Sequence, residues 1–555
     1  MRFRRFTLWT LIALVAVSVL FLVRELPPWP EGINASAWTA IAARTVPGGY
    51  HIHTTRSDGH GDKHDVAAAA ARAGLKFVII TDHGDATRPP DPPEYIDGVL
   101  CLDAVEISTD QGHLVALDLP RAPYPLGGPA YSVVEDVQRL GGFAIAAHPD
   151  SPKPALRWTD GAVPVDGLEW LNIDSEWRKD TRGRLIRAGF AYFLRPGPAL
   201  ATLLDRPATL GRWDRLTDRR GGPWRVIGLA GSDAHGGVGR RAEDTGRSLA
   251  GTIGIPSYEA SFRTLSDRVI LDAPLSGDAA RDARAVHDAI RKGSVFSTID
   301  ALAGPGLLDL HVEGTTVVAH ATRPRGAELA LIHGGQLVSY SNVDLHYDAA
   351  GKPGAYRVEV RLARAPGDPP IPWLVSNALY VGTEPAAPIP EPAAPSAEHP
   401  AAGTVPPAAS TAAPFPWRIE RDPGSSAILR TTDHTAELEY RLAGGARNSQ
   451  FVALATDIRF QAFSGIRLGL KSDRPSRAWV QVRSSDGRRW GRSYYVDPSG
   501  SEIDARLGAL RPIGDNVTGV PDPKVLTSIL LVVDLTNAVP GHAGRLSVLH
   551  SELVK

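Results

Sequence analysis

Apolar and polar positions divide this chain into stretches of different period. The first is unbroken: Phe6 to Val23 carries no charge, with Arg2, Arg4 and Arg5 before it and Pro27, Pro28 and Pro30 after it. A helix needs ~20 apolar residues to cross a bilayer. Residues 1–30 therefore read as a membrane anchor that leaves the rest of the chain on the exported side of the cytoplasmic membrane. A cleaved signal segment, giving a secreted or periplasmic protein, is the alternative.

From residue 45 to 300 short apolar strands alternate with helices. The strands are expected at Tyr50–His53, Phe77–Ile80, Ala104–Ile107, Leu114–Leu117, Phe143–Ala146, Leu168–Leu171 and Val226–Leu229. A helix is expected from about Asp62 to Ala73, stopped at Gly74, and others end at Gly141 and Gly293. This alternation predicts parallel β/α construction, open or closed into a barrel. Residues 175–222 read as an insertion of helices and loops over the strand ends.

Further on the period shortens to that of strands. Residues 304–384 predict a small β-sandwich, with a hairpin turn at His333-Gly334-Gly335. Residues 385–415, built of Pro, Ala, Glu, Ser and Thr, predict a semi-rigid linker. Residues 416–555 predict a second sandwich of jelly-roll type. There Trp479, Trp490, Tyr494 and Tyr495 read either as a sugar-stacking face, making carbohydrate a candidate partner, or as core and cross-strand packing.

Composition changes this picture little. The chain has 555 residues, several domains' worth, and a formal net charge of -1, so no overall basic field exists to hold nucleic acid as an obligatory partner. Its one cysteine, Cys101, can form no intrachain disulfide and reads as a small buried hydrophobe.

The chemistry lies at the strand ends. His51 and His53 stand two apart on an expected strand, so both should point to one side. Asp58 follows. Asp82-His83 ends the second strand, Glu106 the third, and His113 opens the fourth. His148 ends the fifth, and Asp233 and His235, again two apart, end the last. In β/α folds that end carries the active site. Nine imidazoles and carboxylates exceed the needs of one ion. They imply two or three divalent ions of the zinc, manganese or iron type, with Glu106 as the natural bridge. Asp82 reads as a carboxylate that orients an imidazole. Arg56, Arg88, Arg178, Arg240 and Arg241 are candidates to grip an anion, and His60 and His64 to donate a proton.

HIHTTRSDG, ITDHG, AVEIS, GH, AAHPD and GSDAH resemble, in order, the motifs of the PHP (polymerase and histidinol phosphatase) family, over roughly Tyr50 to Ala303. The resemblance implies a distorted seven-stranded β/α barrel over residues 31–303, hydrolysing small-molecule phosphate esters with metal-activated water. It implies His51, His53, Glu106 and Asp233 around one ion, Glu106, His113 and His148 around a second, and Asp58, His83 and His235 around a third. Glu106 and Asp233 would be the catalytic carboxylates. Asp58 stands where some members have histidine. Two other readings compete: a surface protein that has kept the barrel, lost catalysis and binds glycan, and an amidohydrolase-type hydrolase, which would want a mid-barrel lysine not evident in this sequence.

Overall fold

The structure is a computed structural model. It describes residues 38–217, 225–237, 255–383 and 415–555 apart from 433–434, 448, 459–462 and 515–516, together with 9, 12–13, 15–20 and 26. The expected linker falls almost wholly outside the described residues, as do Arg240 and Arg241.

The expected N-terminal membrane helix is corrected. Among the described residues no helix is long and apolar enough to cross a membrane. The membrane partner and the anchored location inferred from it are withdrawn with it.

The chain forms two compact units. One comprises residues 1–85, 89–120 and 137–392; the other comprises 86–88, 121–136 and 393–555.

In the first unit, β1 (Thr45–Tyr50), β2 (Phe77–Ile80) and β4 (Val99–Asp103) run parallel, and β3 (Glu94–Ile96) folds back on β4. The helix α1 (Lys63–Ala73) crosses between β1 and β2. Its start is fixed by a reciprocal cap: the Asp62 carboxylate accepts from the His64 and Asp65 amides, and the Asp65 carboxylate accepts from the Asp62 amide. Gly74 ends it with φ of 85°, which glycine adopts without steric cost.

A second sheet has the order β5 (Val105–Thr109), β6 (Gly112–Leu117), β7 (Phe143–Ala146), β8 (Gly167–Asn172), β9 (Ile227–Gly231). Only Ala104 separates β4 from β5. Isolated bridges from His83 to Glu106 and from Ile52 to Ala234 link the two sheets at both edges. The result is a barrel-like ring of seven staves, counting β4 and β5 as one. Its strands are not all parallel, as the alternating pattern predicts: β6 is antiparallel to β5 and β7. Two residues, Asp110 and Gln111, join β5 to β6, and a parallel pair would need a crossover of a dozen or more.

On the other side of β1 the sheet continues through β10 (Ser266–Ile270) and β11 (Val295–Thr298). Of the later strands, β12 (Leu308–Glu313), β13 (Thr316–Ala321) and β16 (Leu345–Asp348) form a three-stranded sheet of their own. By contrast β14 (Ala327–His333), β15 (Gln336–Ser341), β17 (Gly354–Leu362), β18 (Leu374–Ser376) and β19 (Leu379–Val381) join the barrel's sheet through pairing of β18 with β11. Five of the eight strands of 304–384 thus belong to the barrel's sheet.

The insertion after β8 is helical: α2 (Ile173–Lys179), α3 (Arg182–Tyr192), α4 (Pro196–Ala201) and α5 (Thr209–Thr217). Buried ion pairs fasten it to β17. Arg357 donates to both Asp214 oxygens at 2.6 and 2.9 Å, and Arg206 donates to both Glu359 oxygens at 3.0 and 2.6 Å. Burial alone would raise the Glu359 carboxyl, but Arg357, Arg206 and Arg361 bring it down to about 2.

The second unit is an antiparallel sandwich of a six-stranded and a five-stranded sheet. Alternate residues such as Ile466, Leu468 and Leu470, or Ile529, Leu531 and Val533, fill its core. The four aromatics do not share one face. Trp490 is buried in that core and Tyr494 packs against it, while Trp479, one residue out of phase with core residues Ala478 and Val480, packs with Ala453, Ala455, Leu530 and Val532. Of the two readings of these rings, packing is the one that Trp490, Tyr494 and Trp479 follow.

Candidate metal centre

Strand β1 stops at Tyr50, so His51 and His53 lie beyond it and not on it. Strand alternation is not what aims them. His51 takes φ of 61°, and the chain continues alongside the segment after β9: Ser232 donates its amide to the Tyr50 carbonyl, Ala234 to that of His51, and His53 to that of Ala234, at 2.9, 3.1 and 2.9 Å. His148 and Asp233 also have positive φ, 30° and 46°. Left-handed backbone at non-glycine residues is unfavourable and collects at functional sites. Here it turns three side chains from three strand ends toward one point.

All nine residues singled out in the sequence meet there. They fall into overlapping groups whose ligand atoms lie within 4.8 Å of one another: His51, His148 and Asp233; His51, His53 and Glu106; His53, Asp58 and His83; His53, Asp233 and His235; His83, Glu106 and His113. Glu106 is common ground. Its Oε1 lies 2.7 Å from His113 Nδ1 and 2.8 Å from His148 Nε2, and its Oε2 lies 3.4, 3.3 and 3.1 Å from His51 Nε2, His53 Nε2 and His83 Nδ1. Asp233 Oδ1 is 3.5 Å from His51 Nε2 and 3.2 Å from His53 Nε2. Asp58 Oδ2 is 3.6 Å from His83 Nε2 and 3.4 Å from His235 Nε2.

This cluster fits divalent metal ions. The buried Nε2 of His51 has no hydrogen-bond partner, and it faces Glu106 and Asp233. A buried ring nitrogen facing two carboxylates could share a cation with them. The donors are imidazole nitrogens and carboxylate oxygens, a set suited to zinc, manganese or iron, and they are numerous enough for two to three ions.

Charge follows the same pattern. Burial works against protonated His51, but the Glu169, Asp233 and Glu106 carboxylates outweigh it and hold the imidazole well above its ordinary value. For His235 burial is likewise overcome by Asp58 and Asp233, which push it up to about 9. Burial would raise Asp58, yet His235 and His83 hold its carboxyl well below the usual range. His53 goes the other way, lowered chiefly by burial.

Three supporting residues escaped sequence reasoning or were misread. Glu169, fully buried on β8, meets His51 Nδ1 in a short contact and accepts from the His148 amide at 2.7 Å and the Asn172 side chain at 2.9 Å. The Nδ1 contact leaves Nε2 free for a cation. Gly231 gives Glu169 room, since a Cβ there would lie 2.6 Å from its Oε1. The one visible signal is a lone carboxylate inside the apolar run Leu168–Leu171. Asp82 orients no imidazole: it accepts from Thr54 N, Thr54 Oγ1 and Ser57 Oγ at 2.7, 2.6 and 2.6 Å, pinning the loop between His53 and Asp58. His60 is partly buried, and its amide and Nδ1 both reach the His235 carbonyl, at 2.8 and 3.1 Å. His64 is exposed. Arg56 is paired with Asp91 and Asp103, and Arg178 with Asp174.

No family model matches the chain. An uncharacterized protein of Methanocaldococcus jannaschii is 30% identical over 138 residues, 22% of this chain and 79% of that protein. Among solved structures, a two-domain protein of Bacteroides vulgatus containing a predicted PHP-like metal-dependent phosphoesterase is 12% identical, with a TM-score of 0.27, over 64% of this chain and 97% of that one. A family 11 carbohydrate-binding module of a Clostridium thermocellum cellulosomal cellulase is 16% identical, with a TM-score of 0.21, over 25% of this chain and 86% of that one.

Proposed function

We propose that this chain, which belongs to the same family as the Methanocaldococcus jannaschii protein, is a metal-dependent phosphoesterase with a di- or trinuclear centre. The observation that carries the reading is Glu106, one carboxylate within 3.4 Å of five imidazoles. His51, His53, Glu106, His113, His148 and Asp233 would hold the buried ions, and Asp58, His83 and His235 the ion at the mouth. Bound there, divalent ions would supply Lewis acidity toward phosphoryl oxygens and make water a nucleophile near neutral pH.

The protein's own groups set the geometry. Glu106 and Asp233 bring negative charge into a buried site where it is poorly screened. Glu169 fixes the ring of His51, Asp82 fixes the loop that carries Asp58, and His60 holds the turn at His235. The side chain of Asp58 is 54% exposed and that of His83 36%, so substrate would enter on their side.

The test is turnover of p-nitrophenyl phosphate and its bis-ester by the full chain, stripped with chelator and then reconstituted with zinc, manganese or iron. Metal-dependent hydrolysis that is lost in His51→Ala is expected. Binding of two or three ions with no hydrolysis of either ester, or of a wider panel of phosphate esters, would overturn the phosphoesterase reading.

A further inference from the structure

A second group of histidines lies away from the barrel centre, on the three-stranded sheet of β12, β13 and β16. The register places Asp309 opposite His320, His311 opposite Val318, and Val318 opposite His346. Opposed residues share a face, as do residues two apart on a strand. Asp309, His311, Val318, His320 and His346 therefore lie on one face, one residue from each of three adjacent strands being an imidazole. The His320 ring centroid is 6.5 Å from that of His311 and 5.7 Å from that of His346.

Two of these rings are already oriented. His311 Nδ1 lies 3.1 Å from Asp309 Oδ1, and His320 Nδ1 lies 3.1 Å from Asp344 Oδ1. A carboxylate at Nδ1 favours the tautomer with the proton on that nitrogen and, at His320, leaves the Nε2 lone pair for a cation. At His311 the Glu313 carboxylate also stands 3.4 Å from Nε2 and would join an incoming ion or swing away. Two rings on one tetrahedral ion stand about 5 Å apart by centroid, given metal–nitrogen bonds of roughly 2 Å. In the barrel centre neighbouring rings are 4.5–5.5 Å apart. The sheet histidines are slightly wider, at 6.5 and 5.7 Å, and their side chains are partly exposed, 40% for His311 and 30% for His320.

We propose that this face binds one transition-metal ion of the zinc, copper(II) or nickel class through His311, His320 and His346. Three imidazoles select such ions over magnesium or calcium, which prefer oxygen. An ion held there clips three strands together across both hydrogen-bonded pairs. The site is independent of the barrel centre and of the activity proposed for it.

The experiment compares zinc bound to the full chain with zinc bound to His311→Ala/His320→Ala/His346→Ala, after chelator stripping, reloading with zinc chloride and gel filtration. One zinc equivalent fewer in the triple variant is expected, with phosphate-ester turnover retained. Loading copper(II) in place of zinc should give an electron-paramagnetic-resonance signal with imidazole nitrogen splitting that the triple variant lacks. Should the triple variant fail to fold, His320→Gln serves instead, with zinc affinity of that site expected to fall at least tenfold. Equal zinc content in the folded triple variant and the parent chain, or unchanged zinc affinity in His320→Gln, would overturn the proposal.

Discussion

The two halves of the barrel centre hold similar ligands in opposite surroundings. His51, His53, Glu106, His113, His148 and Asp233 are buried, their side chains no more than about a tenth exposed. Asp58, His83 and His235 stand at the mouth, the first more than half exposed. A buried ionised carboxylate is costly unless opposite charge meets it. Glu106 and Asp233 therefore demand cations, whether imidazolium or metal, and the backbone around them accepts left-handed residues to bring the ligands in. At the mouth, water shares the solvation and no such demand exists. Ions in the buried half should be held tightly and exchange slowly, while the ion at the mouth should be weaker and labile.

The sharpest break comes from Glu106→Gln. It keeps the shape and removes the charge that five imidazoles share, so turnover should fall roughly 1,000-fold and buried metal should be lost. Elemental analysis beside the esterase assay checks both; a fully loaded, active variant would contradict the bridging role.

Asp58→Asn probes the other half. It should remove one labile ion, leave the buried ions in place and lower turnover by roughly 100-fold. Chelator titration should change from two phases in the parent to one slow phase.

Glu169→Gln should act more mildly. With His51 less firmly oriented, metal affinity should fall roughly 10- to 100-fold, while the number of ions at saturation stays the same. Loss of an ion at saturating metal would mean that Glu169 is itself a ligand.

The smallest effect is on pH dependence at the mouth. His235, pushed up to about 9, carries a proton at pH 7 that an incoming ion must displace. At His83 burial is also outweighed, by Asp58 and Glu106, and its value is raised, so affinity for that ion should rise with pH until both imidazoles have lost their protons and then level off. Calorimetry in buffers of different ionisation enthalpy should detect proton release on binding of the labile ion at pH 7.

Much of the centre was legible because its residues sit at the ends of short apolar runs whose period is local. The limits of α1 could be read from Asp62 and Gly74, and most of the nine ligand candidates from a place after a strand, with Glu106 and His113 lying on β5 and β6 themselves. What escaped depends on distant pairing. That β6 runs antiparallel follows from a two-residue turn flanked by apolar runs resembling their parallel neighbours. The conformation of His51 is set by residues 232–234, nearly two hundred positions away, so local alternation misassigned it to a strand. Glu169 matters because β8 lies beside β9 and near the end of β1, which no local pattern displays. Asp82 adjoins His83 in sequence but points to Thr54 and Ser57. The apolar run at the N-terminus was read by length and hydropathy alone, and no described helix bears that reading out.

The most direct test is anomalous scattering from crystals of the full chain loaded with zinc or manganese. Two or three metal peaks should lie among the nine side chains, one pair bridged by Glu106 and the most exposed peak beside Asp58 the first to vanish on brief chelation. A loaded crystal with no anomalous peak between Glu106 and Asp233 would contradict the account.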